Sequence, residues 1–169
     1  LPSGPVTLTV TDELVCPSLK GFGVEDDGWF YNEVNLSKGV THRDLELREN
    51  RVRWMEPDWT RMFFWYQDWN PSGDWETFDF ETDNMRSHYR TLDLYQEIGA
   101  YVTVVGVEWG MSEFDTLEKT ATAIGALLEH LVLVKGYSCV QEWTLTNEPN
   151  GSWVRRGNTF EEYVRLHEL

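Results

Sequence analysis

Hydrophobic and polar positions along the chain follow two alternating patterns, which predict strands and helices in turn. Short apolar runs rich in β-branched and aromatic residues are typical of buried strands. They occupy residues 21–25, 59–66, 101–109 and 140–146. The period of two in the second run places Arg61, Phe63 and Trp65 on one face of that strand.

Amphipathic segments fill the gaps between these strands and predict helices. The first begins at Thr41, carries Asp44 in its first turn, where a carboxylate complements the helix dipole, and ends before Pro57. Its predicted apolar stripe is Leu45, Val52 and Met55. Later helices are predicted over 84–98, from Asp115 to a point before Gly136, and over 159–169.

The spacing of these elements indicates the fold class. The strand centres lie about 40 residues apart with a helix in each gap, and this alternation predicts a parallel sheet. An open doubly wound sheet and a (β/α)8 barrel both fit. No Gly-x-Gly-x-x-Gly segment follows the first strand, which disfavours a dinucleotide-binding sheet.

A whole barrel takes about 250 residues, so four βα units correspond to half of one. We therefore predict an α/β fold of the (β/α)8 TIM-barrel type, of which this chain supplies the N-terminal half. Residues 1–169 would form a single domain, with residues 1–20 as a lead-in and residues 21–169 as the four units.

Composition narrows the possible partners. The chain has 169 residues, 41% of them hydrophobic, which suits one globular domain. The net charge of -15 repels phosphate backbones and argues against nucleic acid, and no apolar run reaches the roughly 20 residues of a membrane span. Cys16 and Cys139 are expected to be two ordinary thiols, with a single disulfide bridge as the alternative, and no metal or cofactor is predicted. The N-terminus lacks signal-peptide features, and a mature secreted terminus stays open.

Tryptophan is abundant, with nine residues. Trp69 and Trp75 lie in the polar, turn-forming segment 67–75, where we expect exposed rings that contact a ligand, with a core role as the alternative. Flat sugar rings are common partners for such surfaces. Trp65 and Trp109, at the ends of the second and third strands, are further candidate sugar contacts.

The segment Asn147-Glu148-Pro149 follows the fourth strand. In barrel enzymes the C-terminal ends of the strands carry the catalytic groups. A carboxylic acid there could protonate a departing glycosidic oxygen, and the adjacent amide could bind a sugar hydroxyl. The alternative is a turn that serves the backbone alone.

These motifs together resemble a known group of enzymes. Asn147-Glu148-Pro149 resembles the acid/base motif of the retaining glycoside hydrolases of the (β/α)8 clan, which includes cellulases, mannanases and β-xylosidases. Arg61, within Trp-Thr-Arg-Met-Phe-Phe, resembles that clan's second-strand arginine, and residues 21–25 resemble its first strand. The resemblance covers strands one to four, which is nearly the whole chain.

The resemblance implies roles for individual residues. Glu148 would be the general acid and then the general base, Asn147 would bind the sugar 2-hydroxyl, and Arg61 would orient the nucleophilic carboxylate, unless it forms a structural ion pair. The substrate would be an oligo- or polysaccharide. The clan's nucleophile is a glutamate on the seventh strand, which this chain does not contain, so a non-catalytic carbohydrate-binding half-barrel and an inactive fragment remain alternatives.

A half-barrel would need a partner for its open edges. The candidates are the C-terminal half of the barrel and a second copy of the chain. In such a homodimer the third strand of the partner would take the seventh position. Glu108 would then face Glu148 across the interface as a candidate nucleophile, although a subsite contact or a structural acid is the default role of Glu108.

Overall fold

The structure is a computed structural model. It describes residues 4–74, 77–107, 117–144, 147–148 and 159–169. Residues 4–20 are exposed and contain no helix or strand. All regular secondary structure among the described residues lies between Gly23 and Glu168.

Four strands form one parallel sheet. They are β1 (Gly23–Glu25), β2 (Trp59–Trp65), β3 (Tyr101–Val107) and β4 (Val140–Thr144). The spatial order is β1-β2-β3-β4, and every neighbouring pair is parallel. The prediction of a parallel α/β sheet is therefore confirmed. The order follows the chain without the reversal that marks doubly wound sheets.

In the part of the chain that the structure describes, five α-helices lie between and after the strands. They are α1 (Glu33–Ser37), α2 (His42–Met55), α3 (Asp83–Ile98), α4 (Leu117–Glu129), which continues into a π-helical turn (His130–Val134), and α5 (Phe160–Glu168). The α2 start is a capping box, because the Asp44 N–H donates to Thr41 Oγ1 while the Thr41 N–H donates to Asp44 Oδ2. Helix α3 ends at Gly99, whose φ of 74° is the usual left-handed C-terminal residue.

The sheet has two unlike faces. On the helix side, Thr60, Met62 and Phe64 of β2 are fully buried. Helices α2, α3 and α4 contribute to this core through residues such as Val52, Leu92 and Leu127. We call the other side the inner face.

The inner face carries the odd-numbered side chains of β2, as the period of two predicted. Phe63 is buried there, whereas Trp59 and Trp65 are exposed.

The predicted apolar stripe of α2 is buried only in part. Leu45 and Val52 are buried but Met55 is 48% exposed, so the prediction that Met55 belongs to the buried stripe is wrong. Met55 lies in the last turn of α2, before Glu56 takes the left-handed conformation, and nothing among the described residues covers it fully. The predicted helix start at Asp115 lies outside the described residues.

Candidate functional site

Parallel strands end at one edge of the sheet, and several candidate residues follow these ends. Trp65 is the last residue of β2, and Asn147 and Glu148 come shortly after β4. Trp29 comes shortly after β1. Neighbouring strands lie about 4.8 Å apart, so the ends of β2 and β4 are separated by about 10 Å. We call this region the C-terminal edge.

Glu148 has an unusual backbone. Its φ of 54° lies in the left-handed region, and its side chain is exposed, while Asn147 is partly buried. A left-handed non-glycine residue costs roughly 1–3 kcal/mol and is common at functional sites. Glu56, after α2, is the other non-glycine residue with positive φ among the described residues.

Arg61 is part of a polar row that crosses the inner face. The register aligns Glu25, Arg61, Thr103 and Glu142 on the four successive strands. Arg61 Nη2 donates to Glu25 Oε2, and the guanidinium lies 4.7 Å from the Phe63 ring centre. At the other end, Thr103 Oγ1 donates to Glu142 Oε2 at 3.2 Å. The arginine thus already has one carboxylate partner, as the ion-pair alternative foresaw, and its side chain is 40% exposed.

Trp65 and Trp29 form an aromatic pair at the C-terminal edge. Their ring centres are 5.1 Å apart at an angle of 55°. Trp65 is 42% exposed, and the partly exposed Trp29 packs on a small cluster of Phe63 and Val105 on the inner face. Sequence analysis missed Trp29. Its position just after a predicted strand was the available signal.

A buried carboxylate, Asp68, holds this region together. Asp68 Oδ2 accepts hydrogen bonds from the Trp65 backbone N–H at 2.9 Å and the Trp29 indole N–H at 3.1 Å, and it lies 2.8 Å from His88 Nε2. Asn84 Nδ2 donates to Asp68 Oδ1 at 2.7 Å. Asp68 and His88 are 1% and 0% exposed, so these hydrogen bonds are shielded from water, which strengthens them electrostatically.

The His88 ring is packed between aromatic side chains of β2 and of the segment after β1. Its ring stacks on Phe64 with the centres 4.1 Å apart and meets Trp29 edge-on at 5.2 Å. A Cβ atom at Gly28 would lie 2.1 Å from His88 Nδ1, so only glycine fits beside this ring. The backbone leading into Trp29 is therefore closely packed.

Asp27 is a second carboxyl group at this edge that sequence analysis did not select. Its Oδ1 accepts a hydrogen bond from the Phe63 N–H at 3.4 Å. Burial raises the pKa of Asp27, and the nearby charges of Glu25 and Asp26 act in the same direction, against the Phe63 hydrogen bond. A carboxyl group in such surroundings keeps its proton to higher pH than usual.

The expectation that Trp69 is an exposed ligand contact is wrong. Trp69 is 1% exposed and belongs to the main core. Its indole N–H donates to the Ala123 carbonyl oxygen of α4 at 3.0 Å, and its ring meets Tyr66 edge-on. Asp68 and Asn70, the two neighbours of Trp69 in this polar segment, are buried with it, so this part of the segment folds into the protein instead of extending into solvent.

Three further predicted residues cannot be placed. Trp75, Trp109 and Glu108 lie outside the described residues. Of the predicted sites, Arg61, Trp65, Asn147 and Glu148 thus lie on the inner face or follow a strand at its C-terminal edge, and Trp69 lies in the core.

The inner face also has a cavity that lies away from the C-terminal edge. A cavity of about 650 Å³ on the inner face is lined by Trp59, Tyr101, Thr103 and Glu142 and lies toward the N-terminal ends of the strands. None of the helices in the described segments is both long and apolar enough to cross a membrane. Within the same segments, no group of three or more histidine, cysteine, aspartate or glutamate side chains could hold a metal ion.

Comparisons with known proteins do not assign this chain to a family. No protein-family model matches the chain, and no curated protein matches it significantly.

Proposed function

We propose that this protein is a retaining β-glycoside hydrolase of the (β/α)8 clan. Glu148 serves as its general acid and base, Asn147 binds the 2-hydroxyl, and the nucleophile lies outside this chain. The main support is the position of Asn147-Glu148 shortly after the fourth strand of a parallel sheet, at the edge where β2 ends in Trp65.

The strand order supports the barrel part of the proposal. Four parallel strands follow one another without reversal, and α2, α3 and α4 contribute to the core on one face. A doubly wound sheet would reverse its order and carry helices on both faces. A (β/α)8 barrel keeps sequential order, with helices outside and side chains filling the inside.

The proposed mechanism uses two carboxyl groups. Glu148 protonates the glycosidic oxygen as the bond to the leaving group breaks, while a nucleophilic carboxylate forms a glycosyl-enzyme intermediate. Glu148 then removes a proton from the water that hydrolyses this intermediate.

The first prediction concerns Glu148→Gln. Hydrolysis of β-glycosides with poor leaving groups should fall by roughly 10²–10⁴-fold, since general acid catalysis supplies about that much. Activated aryl glycosides need little protonation, so their glycosylation step should slow much less. Steady-state rates with a leaving-group series, in the protein that contains the nucleophile, give the measurement.

Glu56→Gln is the matched control. Glu56 has the same residue type and a similar left-handed φ of 45°, but it lies between α2 and β2, at the opposite edge of the sheet. This variant should keep its activity on all substrates. Equal, small losses for Glu148→Gln on poor and activated leaving groups would rule out the acid role.

A non-catalytic carbohydrate-binding protein is the second candidate. The exposed ring of Trp65 beside Trp29 favours it, because such surfaces bind sugars with or without turnover. Retained oligosaccharide binding with no hydrolysis of any aryl β-glycoside, in a protein that includes the whole barrel, would select this alternative.

A further inference from the structure

We propose that Trp29 and Trp65 form a carbohydrate subsite at the ends of β1 and β2, in which the buried Asp68 positions the Trp29 ring. The proposal deepens the proposed function and takes from it the class of ligand, a neutral β-linked oligosaccharide. The pairing of the two rings is independent of any assignment at Glu148.

The geometry of the two rings suits a stacking surface. They meet at 55° with their centres 5.1 Å apart, so they form a bent apolar wall rather than one closed stack. The side chain of Trp65 is 42% exposed, whereas a core side chain of the same size, Trp69, is only 1% exposed. Trp29 rests on Phe63 and Val105, which back the wall from the inner face.

The orientation of Trp29 is held by buried groups. Its indole N–H donates to Asp68, and the same carboxylate accepts from the Trp65 N–H. His88 and Asn84 hold Asp68 in turn. A ring that is fixed before the ligand arrives loses little conformational entropy on binding. Trp29 is also partly exposed, whereas a side chain that serves only the core would be buried.

The surrounding charges select the class of ligand. Glu25 and Asp26 are paired with Arg61 and Arg48, but Asp27, two residues before Trp29, forms no ion pair among the described residues, and the net charge of -15 repels anionic ligands. Carboxyl groups beside an aromatic surface can accept hydrogen bonds from hydroxyl groups. A pyranose ring offers both an apolar C–H face and hydroxyl groups at its rim, and it therefore fits this combination.

The subsite and Asn147-Glu148 follow strands that are two positions apart in the sheet. The ends of β2 and β4 are separated by two strand spacings, about 10 Å. A sugar chain that stacks on Trp65 and Trp29 would reach the fourth strand within a short oligosaccharide. The pair would thus hold one part of an oligosaccharide whose other part extends toward β4.

Binding is tested in the Glu148→Gln background, where hydrolysis does not interfere. Isothermal titration with the hexasaccharides of β-1,4-linked glucose, mannose and xylose gives Kd. Trp29→Ala should weaken the tightest of these interactions by roughly tenfold or more, and Trp29→Phe, which keeps an aromatic ring, by less. Trp54→Ala is the control, because Trp54 is 85% exposed on α2 and should leave Kd unchanged.

The positioning role of Asp68 needs a separate readout. In 5-fluorotryptophan-labelled protein, the ¹⁹F resonance of Trp29, identified by its loss in Trp29→Phe, should shift when oligosaccharide is added. In Asp68→Asn this resonance should broaden or split, while that of Trp54 stays sharp. If Asp68→Asn does not fold, the ligand-induced shift in the parent protein still tests the subsite.

The outcomes separate this subsite from the catalytic proposal. An unchanged Kd in a folded Trp29→Ala variant, an unshifted Trp29 resonance, or no binding of any of the three hexasaccharides overturns the subsite. Full hydrolytic activity of Glu148→Gln overturns the catalytic role but leaves a Trp29-dependent Kd standing. A Trp29 resonance that is unchanged in folded Asp68→Asn overturns the positioning role alone.

Discussion

At the scale of single residues, Trp69 shows how a local pattern can mislead. It lies in a segment of Asp, Asn, Pro, Ser and Gly, which is typical of an exposed turn. Its burial results from α4, more than 50 positions later in the chain, which supplies the Ala123 carbonyl oxygen to the indole N–H. No pattern within the segment contains that information.

Truncation of Trp69 should therefore affect stability. We expect Trp69→Ala to lower the free energy of unfolding by about 3–5 kcal/mol, because it leaves a large cavity in the core. Urea denaturation measures the loss. Trp54→Ala, at an 85% exposed position, should change stability by less than about 0.5 kcal/mol. A Trp69→Ala variant as stable as the parent would show that Trp69 is not a core residue in solution.

At the scale of elements, charged side chains tie the helices to the strand ends. Arg48 of α2 pairs with Asp26 after β1, and Tyr95 of α3 donates to the same carboxylate at 2.8 Å. Glu49 of α2 accepts hydrogen bonds from Tyr31 at 3.0 Å and from Arg90 of α3 at 3.1 Å. These contacts fix α2, which buries little apolar surface of its own, against α3.

The Glu49 contacts predict a pH dependence. Burial alone would raise the pKa of Glu49, but the hydrogen bonds from Tyr31 and Arg90 and the arginine charges outweigh it and lower the pKa. A lowered pKa in the folded state means that the stabilisation is complete above the unfolded glutamate pKa of about 4.3 and disappears as the pH falls through the folded value.

Glu49→Gln should accordingly be less stable than the parent at neutral pH by about 1–3 kcal/mol. The difference should narrow as the pH falls below about 4. Urea unfolding across this pH range provides the test, with Glu46→Gln, at an exposed position on the same helix, as the control. If the difference in unfolding free energy between the parent and Glu49→Gln does not vary with pH, the charge of Glu49 does not contribute to stability.

At the scale of the whole molecule, two features compete. Among the described residues, strands β1 and β4 have one neighbour each in the sheet, and Trp59, Trp65 and Tyr101 on the inner face are exposed. Open edges and apolar faces favour association. The net charge of -15 opposes the approach of a second copy.

The 169-residue chain on its own is therefore expected to self-associate, and to do so more strongly in salt. Screening shortens the reach of the repulsion, to about 8 Å at physiological ionic strength. Sedimentation velocity at micromolar concentration, in low and in moderate salt, measures the effect. A monomer under both conditions would contradict the prediction, and dissociation on adding salt would contradict its physical reason.

The amino-acid pattern alone determined the order and type of the four strands and of the longer helices between them, whereas it did not predict the short helix α1. Each observed strand lies within a predicted run, and the ends of α2 and α3 follow from Thr41, Pro57 and Gly99, because capping and backbone restrictions act over a few neighbouring residues. The positions of Arg61 and Trp65 on one face of β2 came from the period of two in the same way.

Only the tertiary structure decided which residues share a site. It buried Trp69, paired Arg61 with Glu25, and placed Trp29 against Trp65 around Asp68 and His88. Those contacts join residues that are 20 or more positions apart, such as Asp68 and His88 or Trp29 and Asp68. They depend on strand register and helix packing, which a single sequence does not encode locally, and so the aromatic pair emerged only once the strands were side by side.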